Sequence, residues 1–394
     1  MPSAHAQLGG LPPLPQVPSV GDVVRDLPDA AESADAALGE VRRLEIQRLL
    51  RAHRRELEAD PNGQPIVRSQ IIALGMNGEA LERARASGFQ IVATDDLGDG
   101  AVLVTLRAPP RMSTRRALRW LREADRQATY DFDHLHLQSG FIAGASLTSQ
   151  LAAPGAVTDV RIGLVDTGVA AHAEIDASIA AARAFASAEI LPAAHGTAVA
   201  SLLLGAAPGA RIYAADVYGG APTGGASSAL ARALSWLASE GVAVINVSLV
   251  GPRNRVVETV VQRLTQRGVL IVAAVGNDGP AAPPLYPAAY DGVIGVTGVD
   301  SRFRVLPEAG RGPHVDFAAT GILTAAAPGG GSTRVRGTSF AAPTVAGLLA
   351  DRARNGRSDA IDALRRQARD LGARGRDEIY GAGFVGVGTV AAQR

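Results

Sequence analysis

The 394-residue sequence contains no cysteine and no lysine, so all 39 of its basic residues are arginine. Each absence removes a chemistry. Without cysteine there is no thiol nucleophile, no disulfide framework and no cysteine-ligated zinc or iron–sulfur cluster. Without lysine there is no Schiff base, no Ser–Lys dyad and no phosphate-loop lysine. Codon choice in a GC-rich genome accounts for the arginines without invoking selection. No run approaches the roughly 18 to 20 uninterrupted apolar residues of a membrane helix, so no membrane span is expected. The 39 basic residues face 38 acidic ones, a formal charge of +1. Such a balance leaves no global field to gather nucleic acid or an anionic membrane.

What is present is a globular composition, 47% hydrophobic and 20% charged with 45 glycines, which fits an α/β chain rich in turns. Its length suggests two units. Residues 1–34, rich in Pro and Gly, read as a mobile leader. Within it Ala4-His5-Ala6 has the small-x-small form of a signal-peptidase site. A secreted or periplasmic protein is therefore expected, with the cytoplasm an open alternative, since a cysteine-free chain suits either compartment. Over 35–63, Leu38, Val41, Leu44, Leu49 and Leu50 fall near helical spacing, and Pro61-Asn62-Gly63 ends the pattern. The arginines of this helix read as a solvated face.

Residues 64–138 alternate as β-α-β-β-α-β, the order of a ferredoxin-like unit with one sheet backed by two helices. Gly98-Asp99-Gly100 marks the hairpin between its central strands, and Ser113-Thr114 a helix N-cap. His134 and His136 share one strand face, without a partner at metal-like spacing, and read as solvated. Residues 139–157 are small, polar and weakly patterned, a linker. From 158 to 394 continuous apolar strands alternate with helices, indicating a parallel sheet covered on both faces. Its ligand site should lie beyond the carboxyl ends of the strands.

Three residues sit at such ends. Asp166 closes VRIGLVD, His195 opens the helix HGTAVASLLLG, and Ser339 begins GTSFAAPTVAGLLA, where Gly337 permits a tight turn and Pro343 is expected in the first helical turn. A serine hydroxyl needs a base within hydrogen-bond reach and a third group to orient that base. The order Asp, His, Ser is one of three on which this geometry has converged. Attack creates an oxyanion, for which Asn277, at the end of VLIVAAVGN, and the Ser339 backbone N–H are placed to donate.

IGLVDTGV, HGTAVA, INVSLVGP, AAVGNDGP, YPAAYDGVIGVTGVD and GTSFAAPTVAG, in that order, resemble the motifs of the subtilase family, and IYGAGFVGVGTVAA resembles its closing segment. The resemblance spans roughly 158 to 392. It implies a subtilisin-like α/β fold and a serine endopeptidase acting on polypeptides, with Asp166, His195 and Ser339 catalytic and Asn277 in the oxyanion hole. It also implies that the ferredoxin-like unit is a propeptide that chaperones folding and then inhibits, its tail along the substrate cleft, and that the chain cleaves itself within 139–157. Substrate would lie between Gly224-Gly225-Ala226 and Ser248-Leu249-Val250-Gly251, with Gly276 beside it. Val250 and Leu285 stand where the family often has glycine, which implies small or modest apolar P1 residues. His172 matches a position that is usually structural, and Asp278 reads equally as shaping the oxyanion loop or as exposed. Asp166 and His195 lie 29 positions apart, and His195 and Ser339 lie 144 apart. Loops that carry calcium in many relatives look short, so no metal or cofactor is expected, calcium being possible but unsupported. A monomer is expected.

Two other readings compete: a catalytically silent binding protein on the same fold, and a serine esterase or acyl transferase. The second lacks its G-x-S-x-G elbow, since Ser339 stands in Gly337-Thr338-Ser339-Phe340-Ala341. Dinucleotide binding lacks a G-x-G-x-x-G after the first strand of the large unit.

Overall fold

Strand and helix alternate through most of the chain in a computed structural model that describes residues 31–138, 140–147, 158–353 and 356–386. The expected leader up to residue 30, with its Ala4-His5-Ala6 triplet, lies outside the described residues. So does most of the 139–157 segment.

Helix α1 (Ala31–Ala52) leads into β1 (Leu57–Ala59), β2 (Pro65–Leu74), α2 (Gly78–Ala86), β3 (Gln90–Asp96), β4 (Val102–Arg107), α3 (Thr114–Ala124) and β5 (Thr129–His134). The helix is shorter than its apolar spacing suggested. Leu57 belongs to β1, which pairs with β2, and Pro61-Asn62-Gly63 turns that hairpin. Strands β5, β2, β4 and β3 lie side by side in that order, all antiparallel. Asn77 and Ser113 cap α2 and α3 by accepting from Ala80 and Arg116 N–H. Positive φ at Gly98, Asp99 and Gly100 closes the β3–β4 hairpin, as that turn chemistry requires.

The chain continues through β6 (Leu137–Gln138) and β7 (Phe141–Leu147). Strand β7 lies inside the expected linker. Its small residues pair with β17 (Ser332–Arg336), whose other neighbour is β16 (Ile322–Ala326). Pairing across almost two hundred residues leaves no local signal.

The larger unit holds a seven-stranded sheet in the order β15, β14, β13, β11, β8, β10, β9, parallel throughout. These strands are β8 (Arg161–Asp166), β9 (Ile179–Ala184), β10 (Arg211–Asp216), β11 (Val244–Val247), β13 (Leu270–Ala274), β14 (Val293–Val299) and β15 (Val315–Thr320). Helices α4 (Ala194–Ala206), α7 (Thr338–Arg352) and α8 (Arg357–Gln367) cover one face, and α5 (Ser227–Ser239) and α6 (Arg255–Gln266) the other. The central strands are buried on both sides, which is why they read as unbroken apolar runs. Their carboxyl ends gather on one edge, with the short strand β12 (Leu249–Val250) just beyond β11.

Candidate active site

Asp166 is the last residue of β8, fully buried, and its carboxylate is fixed from two sides. It accepts from the Thr167 N–H at 2.7 Å, and both its oxygens lie at 2.8 and 2.9 Å from His195 Nδ1. A buried carboxylate held in this way fixes the imidazole ring and directs Nε2 away from it. Thr167 Oγ1 in turn accepts from the Gly196 N–H at 2.9 Å. A Cβ on Gly196 would fall 2.3 Å from the Thr167 carbonyl oxygen, so only glycine lets α4 approach the Asp166 loop this closely.

His195 sits in the first turn of α4 with its ring 5.1 Å from that of Phe340. Its Nε2 is buried and has no hydrogen-bond partner among the described residues. Ser339, fully buried near the start of α7, donates its hydroxyl instead to the Ser248 carbonyl at 3.2 Å. The sequence reading required serine and histidine to be within reach of each other; here the hydroxyl is turned to another acceptor. A buried O–H takes whichever acceptor is available, and catalytic hydrogen bonds often tighten only when the reacting carbonyl is bound.

Pro343 departs from its expected place. It is the sixth residue of α7, past the first turn, so it withholds the N–H that would bond the Ser339 carbonyl four residues back. That carbonyl is compensated: Ser248 Oγ donates to it at 2.9 Å, and Asn246 Nδ2 donates to Ser248 Oγ at 2.9 Å. Two reciprocal bonds thus join Ser248 and Ser339. Asn277 accepts from the Thr338 N–H at 3.1 Å through Oδ1, which turns Nδ2 toward Gly337. At Gly337, φ is +135° and a Cβ would lie 2.8 Å from Asn277 Nδ2. Glycine is therefore required for both its backbone and its space.

The edge segments expected to hold substrate hold the chain itself. Gln138 and Leu137 of β6 pair antiparallel with Leu249 and Val250 of β12. On the other side the His136 N–H donates to the Gly225 carbonyl at 2.7 Å, and Leu135 bridges Ala226. Gly224 stands in the turn just before. Gly251 bonds Tyr286 in both directions, and the His136 ring lies over it. Gly140 then passes the start of α7, close to Phe340 and Gly337. Leu285 projects onto Gly276, whose N–H donates to Thr338 Oγ1 at 3.2 Å.

His134 and His136 are buried, not solvated, because docking of the two units covers them. His134 Nδ1 lies 3.0 Å from Asn254 Nδ2 and its Nε2 lies 3.4 Å from Asp60 Oδ2. Burial, first of all, pushes the His136 ring down to about 3. His172 Nε2 lies 3.0 Å from the Gly331 carbonyl, a structural contact. Asp278 is mostly covered and meets Arg42 of α1 at 3.4 Å, so that arginine is not part of a solvated face. Among the described residues no group of three or more His, Asp or Glu side chains is placed to hold a metal, and no helix is long and apolar enough to cross a membrane.

Sequence reasoning missed a second set of contacts. Asp133 accepts from Ser228 N–H and Oγ at 2.8 and 2.7 Å and from Gln70 Nε2 at 2.7 Å. Asp131 accepts from the Arg255 N–H at 2.8 Å. Two acidic residues two apart on a strand share a face, and that spacing in DFDHLH was the one available signal.

A doubly covered parallel sheet thus carries an aspartate, a histidine and a serine at its carboxyl edge, with a strand of the chain's own backbone in the groove beside them. Residues 158–383 match the subtilase family, and the chain belongs to it. It is 32% identical over 243 residues to Subtilisin Savinase of Lederbergia lenta, covering 57% of this chain and 88% of that protein. M-protease of Shouchella clausii (strain KSM-K16) shows the same identity over 243 residues, and the match spans 62% of its length. In fold, the chain is similar to fervidolysin from Fervidobacterium pennivorans, a keratinolytic enzyme related to subtilisin. The TM-score is 0.70 at 20% identity, over 84% of this chain and 61% of that one. That coverage exceeds the larger unit, so the likeness in fold extends into the N-terminal unit.

Proposed function

We propose that this chain is a serine endopeptidase made as a self-processing zymogen, in which residues up to 138 act as propeptide and inhibitor. The observation that carries this reading is the seating of residues 135–138. An extended segment of the chain's own backbone lies between the 224–226 and 249–250 edges and leads directly past the nucleophile helix. A groove that bonds peptide main chain on both sides suits polypeptide substrates and is tolerant of their sequence. It favours peptide over simple ester chemistry.

In this reading Ser339 Oγ leaves the Ser248 carbonyl, turns to His195 Nε2 and attacks the scissile carbonyl carbon as Nε2 takes its proton. Asp166 holds the Nδ1–H and stabilises the imidazolium. The developing oxyanion is met by Asn277 Nδ2 and the Ser339 N–H at the start of α7. His195 then returns the proton to the leaving amine, and water hydrolyses the acyl-enzyme by the same relay in reverse. The self-cleavage bond falls at Gln138–Ser139 or Ser139–Gly140, since Gln138 still pairs with β12 and Gly140 already packs against Gly337.

Mass spectrometry and N-terminal sequencing of wild type beside Ser339→Ala test this. The expected result is a wild-type chain beginning at Ser139 or Gly140, an uncut variant, and fluorophosphonate labelling of wild type alone. An uncut, unlabelled wild type indicates a silent binding protein; labelling with ester but no peptide turnover indicates the esterase reading.

A further inference from the structure

Helix α1 plays no part in the chemistry described so far, yet it touches three separate regions. Leu38, Val41 and Ile46 are buried along it. Leu49 and Leu50, at its end, pack into a cluster of Leu57 and Val67 from the small sheet, Leu135 and Leu137 from the tail, and Ala226 from the cleft edge. Two turns earlier Arg42 pairs with Asp278 at 3.4 Å, side chains 15% and 16% exposed. Asp278 directly follows Asn277 in the oxyanion loop. The charge of Arg42 also reaches His136 and Tyr218, and the Tyr218 hydroxyl donates to the His136 carbonyl at 3.1 Å. The helix therefore spans from the small sheet, across the outer side of the tail, to the loop that bears the oxyanion donor.

We infer that α1 is a clamp that retains the tail in the cleft after cleavage, and that the surface formed by Ala226, the tail and Asp278 is its docking site. This rests on the reading of residues up to 138 as the inhibitor. The tail itself is held in the groove by short stretches of main-chain bonding, and the small sheet docks on α5 and α6. Among the described residues, Leu49 and Leu50 of α1 cover Leu135 and Leu137 of the tail from the outer side, so the cut end leaves more readily once the helix lifts. Leu49 and Leu50 supply the burial. Arg42, being partly exposed, adds little attraction but fixes where along the cleft the helix sits.

Three full-length variants test the clamp: Leu49→Ser with Leu50→Ser, Arg42→Glu, and Arg42→Glu with Asp278→Arg. After self-cleavage, loss of the 1–138 fragment from the complex is followed by size exclusion. Arg42→Glu should speed release about fivefold, the leucine pair about tenfold or more, and the charge swap should return release toward the wild-type rate. Hydrogen exchange in the uncut Ser339→Ala background gives a readout independent of catalysis. There the same variants should raise exchange over residues 132–138 while β8 and β13 stay protected, which also shows that the variants are folded. Unchanged exchange of the tail in all three variants overturns the clamp even if the enzyme cleaves itself. Absence of cleavage and labelling in wild type overturns the zymogen reading alone, leaving the exchange result to decide the clamp.

Discussion

The two faces of the small antiparallel sheet are covered by different partners. Ile71, Ala73, Val104 and Leu106 pack under the sheet's own helices, against Ala80, Ala84, Leu118 and Leu121. Ile72, Leu74 and Leu103, one residue out of phase, face the other way and join the core formed with α5 and α6 of the catalytic unit. One face is finished locally and the other is finished only by docking. The contrast extends to helix ends. Helix α2 takes its cap from its own Asn77, and α6 from its own Asn254, with Asp131 adding to it. Helix α5 begins at Ala226 with no side-chain cap of its own and receives Asp133 from the other unit. Each unit thus lacks something that the other supplies, which ties docking to folding stability.

The largest expected effect separates the two faces. In an uncut Ser339→Ala chain, Ile71→Ala and Ile72→Ala, both fully buried, should each cost about 2–5 kcal/mol by urea denaturation. After cleavage of active protein, only Ile72→Ala should also hasten dissociation directly. Equal hastening by both would break the contrast, because it would mean that the small unit folds only while docked.

The carboxylates come next. Asp133→Ala removes the acceptor of three hydrogen bonds and, among the described residues, the only side-chain cap of α5, so docking should weaken by about 3 kcal/mol. Asp131→Ala should weaken it by about 1 kcal/mol, since Asn254 still accepts from Val256 and Val257 N–H. Dissociation constants for the cut fragment give the ratio; equal losses would show that the local cap of α6 contributes nothing.

Acid should act through His136. In the docked tail its ring is held near 3, against 6.5 when free, by burial first and then by the nearby charges of His134 and Arg42. The released tail therefore binds a proton below pH 6.5 that the docked tail refuses. Docking is at full strength above 6.5 and weakens as pH falls toward 3, by up to about 1.4 kcal/mol per unit. The Asp133 carboxyl, raised by burial, works with the opposite sign above its ordinary value of 3.8. Comparing fragment release at pH 7 and pH 5 in wild type and His136→Gln isolates the imidazole: the variant should lose most of the acid sensitivity, and identical profiles would remove His136 from the account.

Legibility in the sequence follows the same division. Asp166, His195, Ser339 and Asn277 sit at strand or helix ends within short contiguous motifs, although the glycines beside them answer to distant partners such as Thr167 and Asn277. Ser113 and Gly98-Asp99-Gly100 are equally local. The run QIIAL in β2 carried a further message, since an antiparallel strand with its own helices on one face should alternate. Its continuous apolarity meant a second cover, which only docking could name. His134 and His136 read as solvated for the same reason. Strand β7 and the Arg42–Asp278 pair depend on partners more than a hundred residues away, and no local spacing encodes them. At Pro343 the helix start falls within one residue of its expected place, but the proline stands past the first turn, and the freed carbonyl meets Ser248.

A last predicted effect lies where docking of the N-terminal unit decides little, in the side-chain pocket as opposed to the main-chain groove. Main-chain pairing with Leu249 and Val250 accepts any sequence, so discrimination must come from what stands beside the scissile residue. Leu285 lies against Gly276, so close that a Cβ there would meet its Cδ1 at 2.5 Å, while Val250 is buried in the opposite edge. Leu285 thus fills the space that Gly276 leaves open. Leu285→Gly should therefore raise kcat/KM for a P1 phenylalanine peptide relative to its P1 alanine counterpart by about tenfold. The variant should leave inhibition by the cut fragment nearly unchanged, because α5, α6 and the tail's main-chain partners are untouched. If inhibition weakened as much as selectivity shifted, pocket and docking surface would be one device, and the division between locally built and borrowed parts would fail at the point where substrate enters.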